Sequence, residues 1–190
     1  MSKVHLKDVR ISFANIFEPK QVQGQGDAKF SAAFLFPRSH PAAAELSTAI
    51  TQAATEKWGA KAGDVLKALK AADKLCVHDG DAKADNEAYP GNLFVNASNK
   101  TRPLVIGPQR EPLVASDGKP YSGCYVNAIV EVWPQDNQFG KRVNASLLGV
   151  QFIRDGERLS GGGVAAADDF EAIPAPASEK AAASGAAGLF

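Results

Sequence analysis

The stretch that decides the fold is Tyr125–Trp133, YVNAIVEVW. Val126, Ala128, Val130 and Val132 fall on one side of it; Tyr125, Asn127, Ile129, Glu131 and Trp133 fall on the other. Strict alternation with β-branched residues on the apolar side reads as a strand with one face on a core. Toward the C-terminus, Pro134 to Gly140 reads as a polar connector, and Val143 to Ile153 as a further strand ended by Asp155-Gly156. Toward the N-terminus, Ser116-Asp117-Gly118 marks a turn. Leu104–Ile106 and Leu93–Ala97 read as short strands, and Asp79 to Pro90 (DGDAKADNEAYP) as a loop. Val9, Ile11 and Phe13 alternate with Arg10 and Ser12, which gives another half-buried strand. Gln21 to Asp27 is a polar loop, and Phe30, Ala32, Phe34 and Phe36 share one face of a strand that stops at Pro37.

The period changes only in the middle. Leu46, Ile50, Ala53, Ala54 and Trp58 recur at helical spacing, with Pro41 in the first turn, Ser39 as the expected cap and Gly59 as the stop. A second, short helix is expected from Asp64 to about Ala72. The order strand, strand, helix, then several strands fits a mainly-β or α+β domain. It lacks the strand–helix alternation of a parallel sheet.

At 190 residues, 45% hydrophobic and 22% charged, the chain holds enough apolar material for one core. Residues 1–160 read as the folded domain and 161–190 as a flexible tail, rich in Ala and Gly, with Pro174 and Pro176 inside. The overall charge is zero but unevenly placed. The tail carries Asp168, Asp169, Glu171 and Glu179 against Lys180 alone, so the body is mildly basic. No apolar run is long enough to span a bilayer, and Met1 to Arg10 lacks the apolar region of a signal peptide. With only Cys76 and Cys124, at no metal-type spacing, a reducing cytoplasm is the expected compartment.

Enzymatic motifs are weak. His5, His40 and His78 are scattered and read as surface or cap residues. Asp79, Asp81 and Asp85 only faintly resemble a calcium loop, because Lys83 and Ala84 occupy its fifth and sixth positions. Gly24-Gln25-Gly26 and Gly161–Gly163 lack the context of a nucleotide or phosphate loop. No catalytic residue, metal or cofactor is expected. What stands out is an interleaving of aromatic and basic residues between Tyr89 and Arg154. Flat aromatic faces stack on unpaired bases, and flanking cations follow the phosphates. The stacking candidates are Tyr89, Tyr121, Tyr125, Trp133 and Phe139. The phosphate candidates are Lys100, Arg102, Arg110, Lys141 and Arg142. In the tail, Asp168, Asp169, Phe170, Glu171 and the terminal Phe190 form a candidate hook for a partner protein.

Four stretches carry a resemblance: Val9–Lys20 (VRISFANIFEPK), Lys29–Pro41 (KFSAAFLFPRSHP), Tyr89–Pro103 (YPGNLFVNASNKTRP) and Tyr121–Glu157 (YSGCYVNAIVEVWPQDNQFGKRVNASLLGVQFIRDGE). Together they resemble a phage and prophage family of single-stranded-DNA-binding proteins, over about residues 5 to 157. The resemblance implies an OB-fold, a five-stranded Greek-key barrel, with the Pro41–Trp58 helix as an insertion. It also implies sequence-tolerant binding of single-stranded DNA in phage replication or recombination, in the cytoplasm of a bacterial host. Podophage replicative single-strand binders share a similar plan, a barrel followed by an acidic, aromatic-ended tail that engages replication or recombination proteins. The present tail departs from that plan: its acids stop at Glu179, before an Ala- and Gly-rich run. A homo-oligomer is compatible with the resemblance, and no membrane partner is implied. The alternative reading from composition is a β-rich structural or adaptor module that binds no nucleic acid.

Overall fold

The computed structural model describes residues 1–22, 24–83, 85–159 and 172–173. The compact body spans Met1–Leu159. Its strands are β1 (Ser2–Val22), β2 (Gln25–Pro37), β3 (Val77–Asp79), β4 (Asn92–Asn99), β5 (Leu104–Ile106), β6 (Tyr125–Asn137) and β7 (Gly140–Arg154). They form one sheet in the order β3-β4-β2-β1-β6-β7-β5. All pairings are antiparallel except β5 with β7. The mainly-β expectation is met, but there are seven strands rather than five.

The sheet is not closed by a ladder. Instead β4 and β7 approach across a seam, which is bridged by isolated bonds. Asn99 Nδ2 donates to the Leu147 carbonyl at 3.1 Å, and the Val143 N–H donates to the Lys74 carbonyl at 3.2 Å.

The alternation read in β6 is what the structure shows. Val126, Ala128, Val130 and Val132 are buried, and the residues between them are half-buried. They meet Leu6, Val9 and Ile11 of β1, Phe34 and Phe36 of β2, and Leu147 and Val150 of β7 in one core. Burying each such side chain contributes roughly 1.5 to 3 kcal/mol.

Several boundaries differ from the sequence reading. β1 begins at Ser2 and continues to Val22, so most of the expected Gln21–Asp27 loop is the end of one hairpin strand and the start of the next. β6 likewise runs through Pro134 to Asn137, leaving only a tight turn before β7. Proline is tolerated there because β1 begins at Ser2, opposite Val132, so no ladder on that side is broken. The expected Asp79–Pro90 loop begins inside β3 and includes a 3-10 turn, Gly80–Lys83.

Two helices sit between β2 and β3: α1 (Pro41–Trp58) and α2 (Ala62–Ala71). α1 packs Leu46, Ala49, Ile50 and Ala53 on the barrel core. Its cap is His40, not Ser39: the His40 Nδ1 accepts from the Ala42 N–H at 3.1 Å. α2 begins two residues before the expected Asp64, because a short 3-10 turn, Gly59–Lys61, links the helices directly. It ends on Asp73, which has φ 54; Lys74 N–H donates to Leu69 O and Asp73 N–H to Lys70 O. That is the Schellman arrangement, with Asp in the left-handed position usually taken by Gly.

Candidate functional site

A groove of about 860 Å³ crosses the seam between β4 and β7. Small residues of the sheet, Ala33, Ala97 and Ala145, are among those lining it. Its walls hold Asn15, Ser31, Asn96, Ser98, Gln135 and Asn144. Five cations line it, namely Lys29, Lys74, Lys83, Lys100 and Arg142. Asp73 is the sole carboxylate among the lining residues. That carboxylate lies 2.6 Å from His78 Nδ1, and the His78 ring stacks on Phe94 at 5.2 Å. The groove is therefore electropositive although the whole chain is neutral.

Two aromatic rings line the groove. Trp133 lies on the half-buried face of β6, and its Nε1–H donates to Ser146 Oγ at 2.9 Å, which fixes the orientation of the indole. Phe13 reaches the groove by a different route. Simple alternation puts it on the core face with Val9 and Ile11. However, the β1–β2 register shifts between Ser12 and Asn15, and Phe13 has φ 49. This bulge turns Phe13 outward, where it is 49% exposed, whereas Ser12, just before it, keeps its regular pairing with Ala33 and is 4% exposed. Lys83 Nζ stands 5.9 Å from the Phe13 ring centroid and 4.9 Å from that of Phe94. Non-glycine residues at positive φ cost on the order of 1 to 3 kcal/mol and cluster where function requires them.

Of the ten residues proposed from sequence for stacking and phosphate contact, the groove gathers Trp133, Lys100 and Arg142. Lys100 also pairs with Asp27, whose carboxyl is held below its ordinary range by that bond.

The other seven lie elsewhere. Tyr89 is 1% exposed and packs with Ala33, Leu35, Ala88 and Phe94 in a second, smaller core, so it offers no face to a base. Its burial follows from how tightly the 80–92 segment folds over β2 and β4: a Cβ on Gly80 would stand 2.0 Å from the Tyr89 carbonyl oxygen. Tyr121 and Tyr125 sit at the opposite end of the sheet with cations already on their rings. Arg158 is 4.3 Å from the Tyr121 centroid, and Arg154 is 3.9 Å from that of Tyr125. Tyr125 and Trp133 share a strand face, but eight residues of strand separate them by about 26 Å.

Phe139 is 76% exposed in the β6–β7 turn. Lys141 flanks that turn, 3.6 Å from Asp136 and 5.7 Å from the Trp58 ring centroid. Arg102 stands 5.9 Å from the Phe17 ring centroid, and Arg110 lies in the turn after β5 with φ 67. Asp168, Asp169, Phe170, Glu171 and Phe190 lie outside the described residues.

Sequence reading missed Phe13, Lys29, Lys74, Lys83 and His78. Lys29 alternates with the core residues Phe30 and Ala32, so its outward face was readable. Phe13 was hidden by the bulge, and Lys74 and His78 by the Schellman turn that brings their segment to the seam. The faint calcium loop has a different use: Asp79 and Asp81 both accept from Arg38 Nη2, at 2.6 and 3.0 Å, and the Arg38 bond holds the Asp79 carboxyl below its usual range. Among the described residues no group of three His, Cys, Asp or Glu side chains converges as a metal site. Both cysteines are buried; desolvation pushes the Cys76 thiol up to about 12 and raises that of Cys124. Among the described residues no helix is long and apolar enough to cross a membrane.

Comparison with known proteins gives a consistent result. A family model described as the single-stranded-DNA-binding protein of Enterobacter phage Enc34 matches residues 2–182. A protein of Acyrthosiphon pisum secondary endosymbiont phage 1, named putative protein p50, is 48% identical over 174 residues. The match covers 89% of the present chain and 92% of that protein. Among solved structures, the single-stranded-DNA-binding protein of bacteriophage Enc34 in complex with single-stranded DNA superposes with a TM-score of 0.71 at 25% identity, covering 83% of this chain and 89% of that one. The single-stranded-DNA-binding protein gp2.5 of bacteriophage T7 superposes with a TM-score of 0.56 at 13% identity, over 93% of this chain and 99% of that one, a likeness of fold.

Proposed function

The chain belongs to the Enc34 single-stranded-DNA-binding protein family, and on that premise we propose that it binds single-stranded DNA without sequence preference along the Trp133 groove. The observation that carries this reading is the combination of five cations, one carboxylate and two available aromatic rings in a single groove. Cations neutralise phosphates and release their counterions. Trp133 and Phe13 can stack only on bases that are not already stacked on both sides in a duplex, so the groove favours single strands. The amides and hydroxyls along its walls both donate and accept, so they suit any base edge. This chemistry holds and orders a strand; it cleaves nothing.

The protein acts in phage DNA replication or recombination in the cytoplasm of a bacterial host, where it protects single strands. The acidic, aromatic tail from Asp168 to Phe190 engages other replication or recombination proteins; its sequence pattern is the support for that role. Exposed Phe139 and Lys141 extend the binding surface past the groove at the β6–β7 turn.

The test is fluorescence anisotropy of a labelled oligo-dT and a matched duplex at two salt concentrations. Tighter binding to the single strand, with partial loss in salt, is the expected result. Equal binding to the duplex, or none to either at low salt, would overturn the reading and restore the adaptor-module alternative.

A further inference from the structure

A second cleft, of about 700 Å³, opens between the α1–α2 pair and the β3–β4 edge of the sheet. It shares Asp73, Leu75 and His78 with the groove, so the two are neighbours across one short segment, the chain that leaves the Schellman turn of α2. Asp73 and His78 bond to each other at that junction. The charged residues lining the cleft are Arg38, Lys67 and Lys70 with the carboxylates Asp73 and Asp79. Arg38 is bound by Asp79 and Asp81, but Lys67 and Lys70 have no carboxylate within ion-pair distance among the described residues. Three residues apart on α2, they share one helix face, and both are exposed. Apart from the shared His78, no aromatic ring lines the cleft.

We infer that single-stranded DNA leaving the groove passes the Asp73–His78 junction and enters this cleft, where Lys67 and Lys70 take its phosphates. The inference rests on the groove reading and extends its footprint. Its chemistry differs from that of the groove. Its carboxylates are already held, Asp79 by Arg38 and Asp73 by His78, and it has no stacking ring of its own, so with Lys67 and Lys70 left over the cleft recognises the sugar-phosphate backbone alone. Its contribution is therefore indifferent to base identity and almost wholly salt-dependent. The path from groove to cleft crosses the segment that carries Asp73, Leu75 and His78, which lines both.

The consequence is a two-stage dependence on oligonucleotide length. Short oligo-dT fills the groove; longer oligo-dT, within the range of about 4 to 16 nucleotides that such barrels cover, also reaches the cleft. Neutralising two further phosphates steepens the salt dependence of log K by about 1.4 for a single strand.

The experiment measures affinity and salt slope for an oligo-dT length series on the full chain. Three proteins are compared: wild type, the Lys67→Gln/Lys70→Gln variant and a Lys7→Gln/Lys119→Gln variant that removes the same charge at sites lining neither groove nor cleft. The expected result is unchanged short-oligonucleotide binding in all three. The long-oligonucleotide gain in affinity and slope should be lost only in the Lys67/Lys70 variant. Retention of the gain in that variant, an equal loss at every length, or the same loss in the Lys7/Lys119 variant would overturn the inference. Failure of short oligo-dT to bind wild type at all would instead overturn the groove itself.

Discussion

The two ends of the β6 face have nearly the same composition and opposite uses. At the Tyr125 end, aromatics and cations satisfy one another. Arg154 lies over Tyr125, Arg158 over Tyr121, and Lys119 stands 4.9 Å from the Phe152 centroid. Two of these cations, and Arg10 beside them, also find acceptors within the protein. Arg154 pairs with Asp8, Lys119 with Asp155, and Arg10 Nη2 donates to the Glu157 carbonyl at 2.7 Å. At the Trp133 end, Lys29, Lys74, Lys83 and Arg142 have no carboxylate partner among the described residues, and the wall amides face a groove. On the proposed reading, a site for a polyanion is marked by cations left without carboxylate partners, which composition alone does not reveal.

The largest test of that comparison removes the ring at each end. Trp133→Ala should weaken oligo-dT binding by about 1 to 3 kcal/mol, the range for one stacked base. Tyr125→Ala should leave affinity within about twofold, because its ring already carries Arg154. Anisotropy titrations of both variants check this; equal losses would erase the distinction between the two ends.

Charge gives the next effect. Five groove cations contacting phosphates predict a log–log salt slope of about 3.5 for short single strands. Arg142→Gln should lower it by about 0.7, whereas Arg154→Gln should not change it. A slope near zero would mean that the cations do not touch phosphate.

A smaller effect, of opposite sign, is expected at the junction. Asp73→Asn removes the groove's sole lining carboxylate while keeping a residue that tolerates positive φ. It should tighten single-strand binding several-fold at low salt, and the gain should fade as salt rises. Weaker binding in this variant would show that the Asp73–His78 pair has a positioning role that outweighs its charge.

A further effect, on stability rather than binding, concerns neither end but the core between them. Because the folded pKa of Cys76 is pushed up to about 12, the fold favours the neutral thiol. Its contribution to stability is complete below the unfolded thiol pKa of about 8.5 and is lost as pH rises from there toward the folded value. Denaturation midpoints should therefore fall between about pH 8.5 and 11 by more in wild type than in Cys76→Ala. Identical pH profiles would contradict this.

Much of the fold was legible in the sequence because a strand with one buried face must alternate, and β6 does so from Tyr125 to Trp133. The α1 helix was legible for the same reason at its own period. The site was only partly legible. Trp133, Lys100 and Arg142 could be named because each follows the regular pattern of its strand or lies next to one. Phe13 could not, because one bulge residue reverses the face of everything after it until the register recovers. Tyr89 misled for a tertiary reason: nothing local announces that the 80–92 segment folds back and buries it against Phe94. Nor does the sequence disclose that Tyr121 and Tyr125 meet arginines from distant positions.

Base stacking on Trp133 within the groove is open to test by intrinsic fluorescence, because the chain has only two tryptophans. Trp58 lies outside the groove, its Nε1–H donating to Asp136 at 2.8 Å. Saturating oligo-dT should strongly quench a Trp58→Phe protein, whose emission comes from Trp133 alone, and leave the emission of a Trp133→Phe protein nearly unchanged. Quenching of Trp58 with Trp133 emission unaffected, while both proteins still bind, would place the DNA elsewhere and contradict the account.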